Sequence, residues 1–197
     1  MSLPDRDVLV CRGDGAAPLS GAGRGPGHSV LAVPVPPLDA HLREHTARHD
    51  PSFLSEDPGF SNAHVTLLGP WLPAPTDADL DRVGEVVAAQ SNFEVSFARV
   101  AAFPDGVLHL VPEPAGPFRR LTALLAAAFP ETPPYGGRYA EVVPHLTVDH
   151  ALTGADADSV TADLGALLPV RITVDRVDLQ WWGNHRCRLL HSWRLPS

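Results

Sequence analysis

Cysteine is nearly absent. Two occur in 197 residues, Cys11 and Cys187, which supports neither a disulfide framework nor the paired spacing of a zinc site. Long apolar runs are missing too. No stretch approaches the roughly 20 apolar residues of a membrane span, and no charged-then-apolar leader opens the chain. These absences predict a cytoplasmic protein without a membrane partner. His-x-His, His-Glu-x-x-His and Cys-rich spacings do not occur, so the ten histidines predict no metal site and no cofactor. The glycine-rich stretches at 13–15 and 21–27 lack the Lys and the following helix of a phosphate-binding loop, so ATP is not implied. Positive charge is in the minority. With 15 basic against 23 acidic side chains the net charge is −8, and the overall field repels a long polyanion. Any nucleic-acid substrate is expected to be short or gripped at an end, and no long duplex is expected.

What is present is enough apolar material for a core, 44% of residues with a mean hydropathy of −0.02, in a chain long enough to bury it without staples. Residues 1–27 are rich in Gly, Ala and Pro and read as a flexible tail; residues 28–197 read as one domain. His28 to Val35 is a short apolar run bounded by Gly and Pro, expected to be a strand. Leu38 to Arg48 reads as a helix.

The second half repeats the first. Ala63 to Leu68 carries His64-Val65-Thr66, and Val142 to Val148 carries His145-Leu146-Thr147. Each is followed by a loop ending in a Thr with Asp three positions on (Thr76 and Asp79, Thr153 and Asp156), a pattern expected at a helix N-cap. Leu80, Val83, Val86 and Val87 form one helical apolar stripe and Val160, Leu164, Leu167 and Leu168 another, with Val83 and Val87 meeting Val160 and Leu164 at a constant offset of 77 positions. The alternating Phe93, Val95 and Phe97 meet Val170, Ile172 and Val174; Arg99-Val100 meets Arg176-Val177, and Gly106 meets Gly183. A duplicated unit of strand, helix, strand, turn and strand accounts for this. Between the halves, Pro117 to Phe129 reads as a helix whose apolar face is Phe118, Leu121, Leu124, Leu125 and Ala128.

On a strand, residues i and i+2 share a face, so each triplet offers an imidazole beside a hydroxyl. An imidazole titrates near neutrality; one can take a proton from water while another gives one to a leaving oxygen. Thr hydroxyls can donate to the non-bridging oxygens of a phosphate. Two equivalent triplets facing each other across a pseudo-twofold axis would suit metal-free cleavage of a phosphodiester.

His64-Val-Thr-Leu and His145-Leu-Thr-Val resemble the paired signatures of the 2H phosphoesterase superfamily, specifically the bacterial 2',5' RNA ligase family proteins. Val33-Pro-Val-Pro36, Phe103-Pro, and Pro133-Pro-Tyr-Gly-Gly ahead of Val143-Pro-His-Leu-Thr147 extend the likeness from Ser29 onward. The resemblance implies an α/β fold of the α+β type: two pseudo-twofold-related lobes of antiparallel-rich sheet, helices outside, and a central cleft holding both motifs. It implies hydrolysis of 2',3'-cyclic or 2',5'-linked phosphodiesters of small nucleotides or RNA ends, with His64 and His145 as acid and base, in either order. Thr66 and Thr147 would bind the phosphate. A non-catalytic nucleotide or RNA-end binding protein, or a reversible 2',5' RNA ligase, could use the same cleft.

Where relatives follow the triplet with Arg or an aromatic residue, this chain has Gly69-Pro70 and Asp149-His150. Arg138 or Arg119 could supply the positive charge. Tyr135, Tyr139, Trp71 and Phe118 could stack on a base, though packing explains each equally well. Trp181, Trp182 and Trp193 read as packing residues, and the remaining eight histidines as structural.

Overall fold

A computed structural model describes residues 27–139 and 141–197; most of the expected N-terminal tail lies outside them. Twelve regular elements follow in order: β1 (His28–Pro34), α1 (Pro36–His49), β2 (His64–Leu68), α2 (Asp77–Ala88), β3 (Phe93–Ala102), β4 (Val107–Glu113), α3 (Gly116–Ala128), β5 (Leu146–His150), α4 (Ala157–Leu164), β6 (Val170–Val174), β7 (Arg176–Trp182) and β8 (Arg188–Arg194). The strands form two antiparallel four-stranded sheets, β2-β1-β7-β8 and β5-β4-β3-β6.

Local chemistry starts the helices where the chain demands it. Pro36 and Pro37 occupy the first turn of α1, where a missing N–H costs nothing. Thr76 caps α2 in a reciprocal box: its hydroxyl accepts from the Asp79 N–H at 3.3 Å, and the Asp79 carboxylate accepts from the Thr76 N–H at 2.9 Å. The second helix departs from expectation. Its cap is Asp156, paired reciprocally with Ser159; Thr153 instead ends a 3-10 turn and sets its hydroxyl 2.9 Å from Asp149 Oδ1. α4 stops at Leu164, because the chain turns at Gly165 (φ +40°), so Leu167 falls outside the helix and is exposed. On α3, Phe118, Leu121 and Leu125 are buried, whereas Leu124 faces outward.

The repeat is real in space but interleaved. Phe93, Val95 and Phe97 pair with Val174, Ile172 and Val170, so Val95 lies opposite its own counterpart Ile172. A local twofold therefore passes between β3 and β6. The sequence halves do not become the two sheets, however. β3 continues unbroken into its pairing with β4, whereas its counterpart breaks at Asp175 into β6, in the second sheet, and β7, which crosses to pair with β1 in the first. The first sheet thus combines both ends of the chain.

Most apolar side chains share one core in which Phe97, Phe118 and Phe129 are fully buried. β1 is covered on both faces: Leu31 and Val33 enter that core, while Val30 and Ala32 join a second cluster with Phe60, Trp182 and Cys187. This explains its continuous apolar run, which a strand with one solvated face would not need. Cys187 lies just before β8. Trp71 packs edge-on against Phe129, and Phe118 against Phe93, so neither is available for stacking on a base.

Candidate active site

β2 and β5, the two motif strands, are each the edge strand of a sheet, and they lie against one another. The twofold relation places the triplets at equivalent points of this junction. His64 opens β2, and His145 immediately precedes β5.

The two imidazoles are anchored alike. His64 Nδ1 lies 2.9 Å from the Asn62 carbonyl, and His145 Nδ1 lies 2.8 Å from the Val143 carbonyl, in each case two residues back. A carbonyl oxygen only accepts, so Nδ1 carries the proton in both rings and Nε2 is the basic nitrogen of the neutral form. Identical anchoring on repeated strands is what the duplicated motif produces.

The surroundings of the two rings differ. His64 is half-buried against Trp182, ring centroids 5.1 Å apart. Burial pushes its pKa down to about 4, opposed by the Asn62 carbonyl and aided by the charge of His145. His145 meets the edge of Phe103 at 4.9 Å and of His109 at 5.4 Å. His109 is buried, stacks flat on Phe103 at 3.9 Å, and is likewise held near 4 by burial and by His145. The hydroxyl partners differ too: Thr66 lies across from Ala32, and Thr147 across from His109. Thr66 is buried and Thr147 partly exposed.

A network fixes the turn before His64. Asp39, in the first turn of α1, accepts from the Asn62 N–H at 2.6 Å and the Ala63 N–H at 3.2 Å. On the other side, the Trp182 indole donates to Gln180 Oε1 at 3.1 Å, and Gln180 Nε2 donates to the Ser61 carbonyl at 3.0 Å. After the second triplet, Asp149 is engaged: its Oδ1 accepts from the His150 N–H at 2.7 Å, and its Oδ2 lies 3.0 Å from His45 Nε2. Burial raises the Asp149 pKa, but His45 and these hydrogen bonds prevail and hold it below the usual carboxylate value.

A cavity of about 400 Å³ opens beside His145, lined by Phe103, Val107, Tyr135, Tyr139, Glu141 and Val143 among others. Tyr135 sits in a short 3-10 segment, Pro134–Gly137, with φ +52°, followed by Gly136 and Gly137 also at positive φ. Its N–H donates to the Gly69 carbonyl at 2.8 Å, docking this segment on the end of β2. Of the remaining candidates, Tyr135 and Tyr139 reach the cavity, whereas the exposed Arg119 and Arg138 are not among its lining residues. Among the described residues, no group of three or more His, Cys, Asp or Glu is arranged to hold a metal ion, and no helix is long and apolar enough to cross a membrane.

Asp39, His109 and Trp182 contact the triplet histidines or the turn that anchors them, although sequence reasoning assigned Asp39 no role and read His109 as structural and Trp182 as packing. For His109 a signal existed: it is the single polar residue between Leu108 and Leu110, on the face of β4 turned away from the core those two leucines enter. Asp39 gave none, because an acid in a first helical turn is unremarkable.

The architecture matches solved structures. A phosphoesterase crystal structure superposes with a TM-score of 0.56 at 16% identity, covering 88% of this chain and all of the other. LigT of E. coli complexed with ATP gives 0.54 at 17%, covering 88% of this chain and 100% of LigT. The Thermus thermophilus protein TT0787 gives 0.55 at 20%, covering 85% of this chain and 97% of its own. Curated proteins gave no match. Residues 34–186, which contain both triplets, match the profile of the 2'-5' RNA ligase superfamily, and the chain belongs to that superfamily of phosphoesterases.

Proposed function

We propose that the protein is a metal-independent phosphodiesterase that hydrolyses 2',3'-cyclic or 2',5'-linked phosphodiesters of nucleotides or RNA ends. The observation that carries this reading is the matched anchoring of His64 and His145. Both rings present Nε2 as the atom that can exchange a proton. One takes a proton from the attacking water while the other protonates the departing ribose oxygen, and the two exchange duties when the reaction runs in reverse. Thr66 and Thr147 donate to the non-bridging oxygens, which carry the negative charge of the phosphorane-like transition state.

The cavity beside His145 accommodates one nucleobase, with Tyr135 and Tyr139 as stacking surfaces. LigT has been crystallised with ATP, NADP+ and 3'-AMP, which supports a nucleotide as the ligand. Arg138 would add positive charge towards the phosphate; Arg138→Ala binding a cyclic nucleotide as tightly as the parent would remove it from the site.

The test is hydrolysis of the four nucleoside 2',3'-cyclic phosphates in the presence of EDTA, with His64→Ala and His145→Ala alongside. Turnover to 2'-phosphates that both variants lose supports the two-histidine mechanism. Tight binding without product over hours would instead indicate a non-catalytic nucleotide or RNA-end binding protein. Turnover surviving both substitutions would refute the assignment.

A further inference from the structure

The two lobes repeat the same triplet but back it differently. Across the strand from Thr66 stands Ala32, a methyl group; across from Thr147 stands His109. A core position at this point of the sheet needs no imidazole, as Ala32 demonstrates. Nor is the His109 ring secured by a strong hydrogen bond of its own: Nδ1 lies 3.4 Å from the Val107 carbonyl, beyond the usual N–H···O range. Its orientation comes from the rings it touches. It lies flat on Phe103, 3.9 Å away at 18°, and presents itself edge-on to His145, 5.4 Å away at 69°. Phe103 in turn meets His145 edge-on at 85°. The three rings form one packed cluster, and Phe103 also lines the cavity.

We propose that His109 is a positioning residue for His145: with Phe103 it fixes the plane of the His145 ring so that Nε2 stays aimed at the phosphate. Two constraints define a ring's orientation, one along its Nδ1–O axis and one against rotation about it. The Val143 carbonyl supplies the first, and the His109–Phe103 stack supplies the second. For His64 the second is supplied by Trp182 from β7. His109 acts through His145 and touches no reacting atom. Because burial and the charge of His145 keep His109 neutral, the stack adds no positive charge that would oppose protonation of its neighbour.

The inference rests on His145 exchanging a proton in the proposed reaction, so its test has an arm that needs no turnover. His109→Ala removes the stack, while His109→Phe keeps a flat ring of similar size. With histidine-labelled protein, NMR reads the tautomer and titration midpoint of His145 directly, in buffer and with inorganic phosphate. The expected result is a single Nδ1–H tautomer in the parent and in His109→Phe, and tautomer averaging with a displaced midpoint in His109→Ala. In kinetics, His109→Ala lowers kcat on the order of tenfold or more with KM within about twofold, since a misaimed catalytic group costs rate rather than ground-state binding. His109→Phe restores most of kcat. Unchanged His145 resonances in a folded His109→Ala variant would overturn the proposal, as would a loss of kcat that His109→Phe does not rescue. Altered resonances in a protein that hydrolyses none of the cyclic phosphates would uphold the positioning and count against the phosphodiesterase reading alone.

Discussion

At His64 the Asn62 carbonyl holds the Nδ1 proton, and the Asn62 N–H is held in turn by Asp39. Asp39→Ala leaves two backbone N–H groups without that acceptor, a loss of about 1–3 kcal/mol each where no water replaces it. The expected kinetic signature is a lowered kcat, with part of the loss recovered in Asp39→Asn, whose side-chain oxygen can still accept; equal kcat in the parent and Asp39→Ala would count against the link. The histidines themselves carry more. Each of His64→Ala and His145→Ala is expected to lower kcat by roughly 10²–10⁴-fold. Thr66→Val and Thr147→Val each remove one donor to an anion, worth about 1.5–3 kcal/mol or roughly ten- to a hundredfold in kcat/KM. The four residues proposed to act on the phosphate could be picked out as candidates because they come twice in a shared pattern. The residues that contact them were not, since Asp39 binds a turn 22 to 24 positions away and Trp182 comes from the far end of the chain.

Among the elements, α1 and β5 are tied together by His45 and Asp149, both largely buried and 3.0 Å apart at Nε2 and Oδ2. His49 packs against the His45 ring at 4.4 Å. Asp149 is two positions beyond Thr147, so this tie fixes the end of the second motif strand against a helix of the other sheet's β1–β2 connection. Removing the Asp149 carboxylate leaves the His150 N–H, the Thr153 hydroxyl and the His45 ring nitrogen without their acceptor, at about 1–3 kcal/mol each where no water replaces it. Asp149→Ala is therefore expected to lower stability in urea by several kcal/mol, with Asp149→Asn intermediate, and an unchanged unfolding midpoint would refute the role. Periodicity placed every helix and the strands β1 to β3 within a few residues, since those signals are local. It misjudged both ends of α4, which starts after Asp156 rather than Thr153 and stops at Leu164 before Leu167 and Leu168. Thr153 and Asp156 both have capping chemistry, and only the tertiary contact to Asp149 explains why Thr153 is used elsewhere.

For the molecule as a whole, the crossing of β7 could not be read from periodicity, because pairing partners are chosen by packing and not by local pattern. One consequence is that the C-terminal hairpin is the central and outer part of the first sheet, so truncation after Asp175 would leave β1 without its β7 partner and is expected to abolish folding rather than yield a stable second lobe. The other consequence concerns acid. His64 and His109, one on each side of the motif junction, are both held near pKa 4 in the folded state against an ordinary value of 6.5. Below pH 6.5 the unfolded chain therefore binds protons that the folded chain refuses, and these two groups subtract stability progressively as pH falls from 6.5 to 4, then no further. For the well-buried His109 the decline amounts to about 3 kcal/mol at most, a sizeable share of the roughly 5–15 kcal/mol that holds a domain together. Asp149, with its folded pKa below 3.8, contributes stability that is lost as pH falls from 3.8 through that lowered value, whereas the buried Asp178, whose pKa burial raises, works in the opposite sense. Urea midpoints measured at about pH 7.5, 5.5 and 4.5 should thus fall steadily in the parent. In His109→Phe the slope should be shallower, because one of the groups that must charge on unfolding has gone. Parallel curves for the two proteins would mean that His109 is protonated in the fold, and the packed ring cluster would then have to hold a cation beside His145.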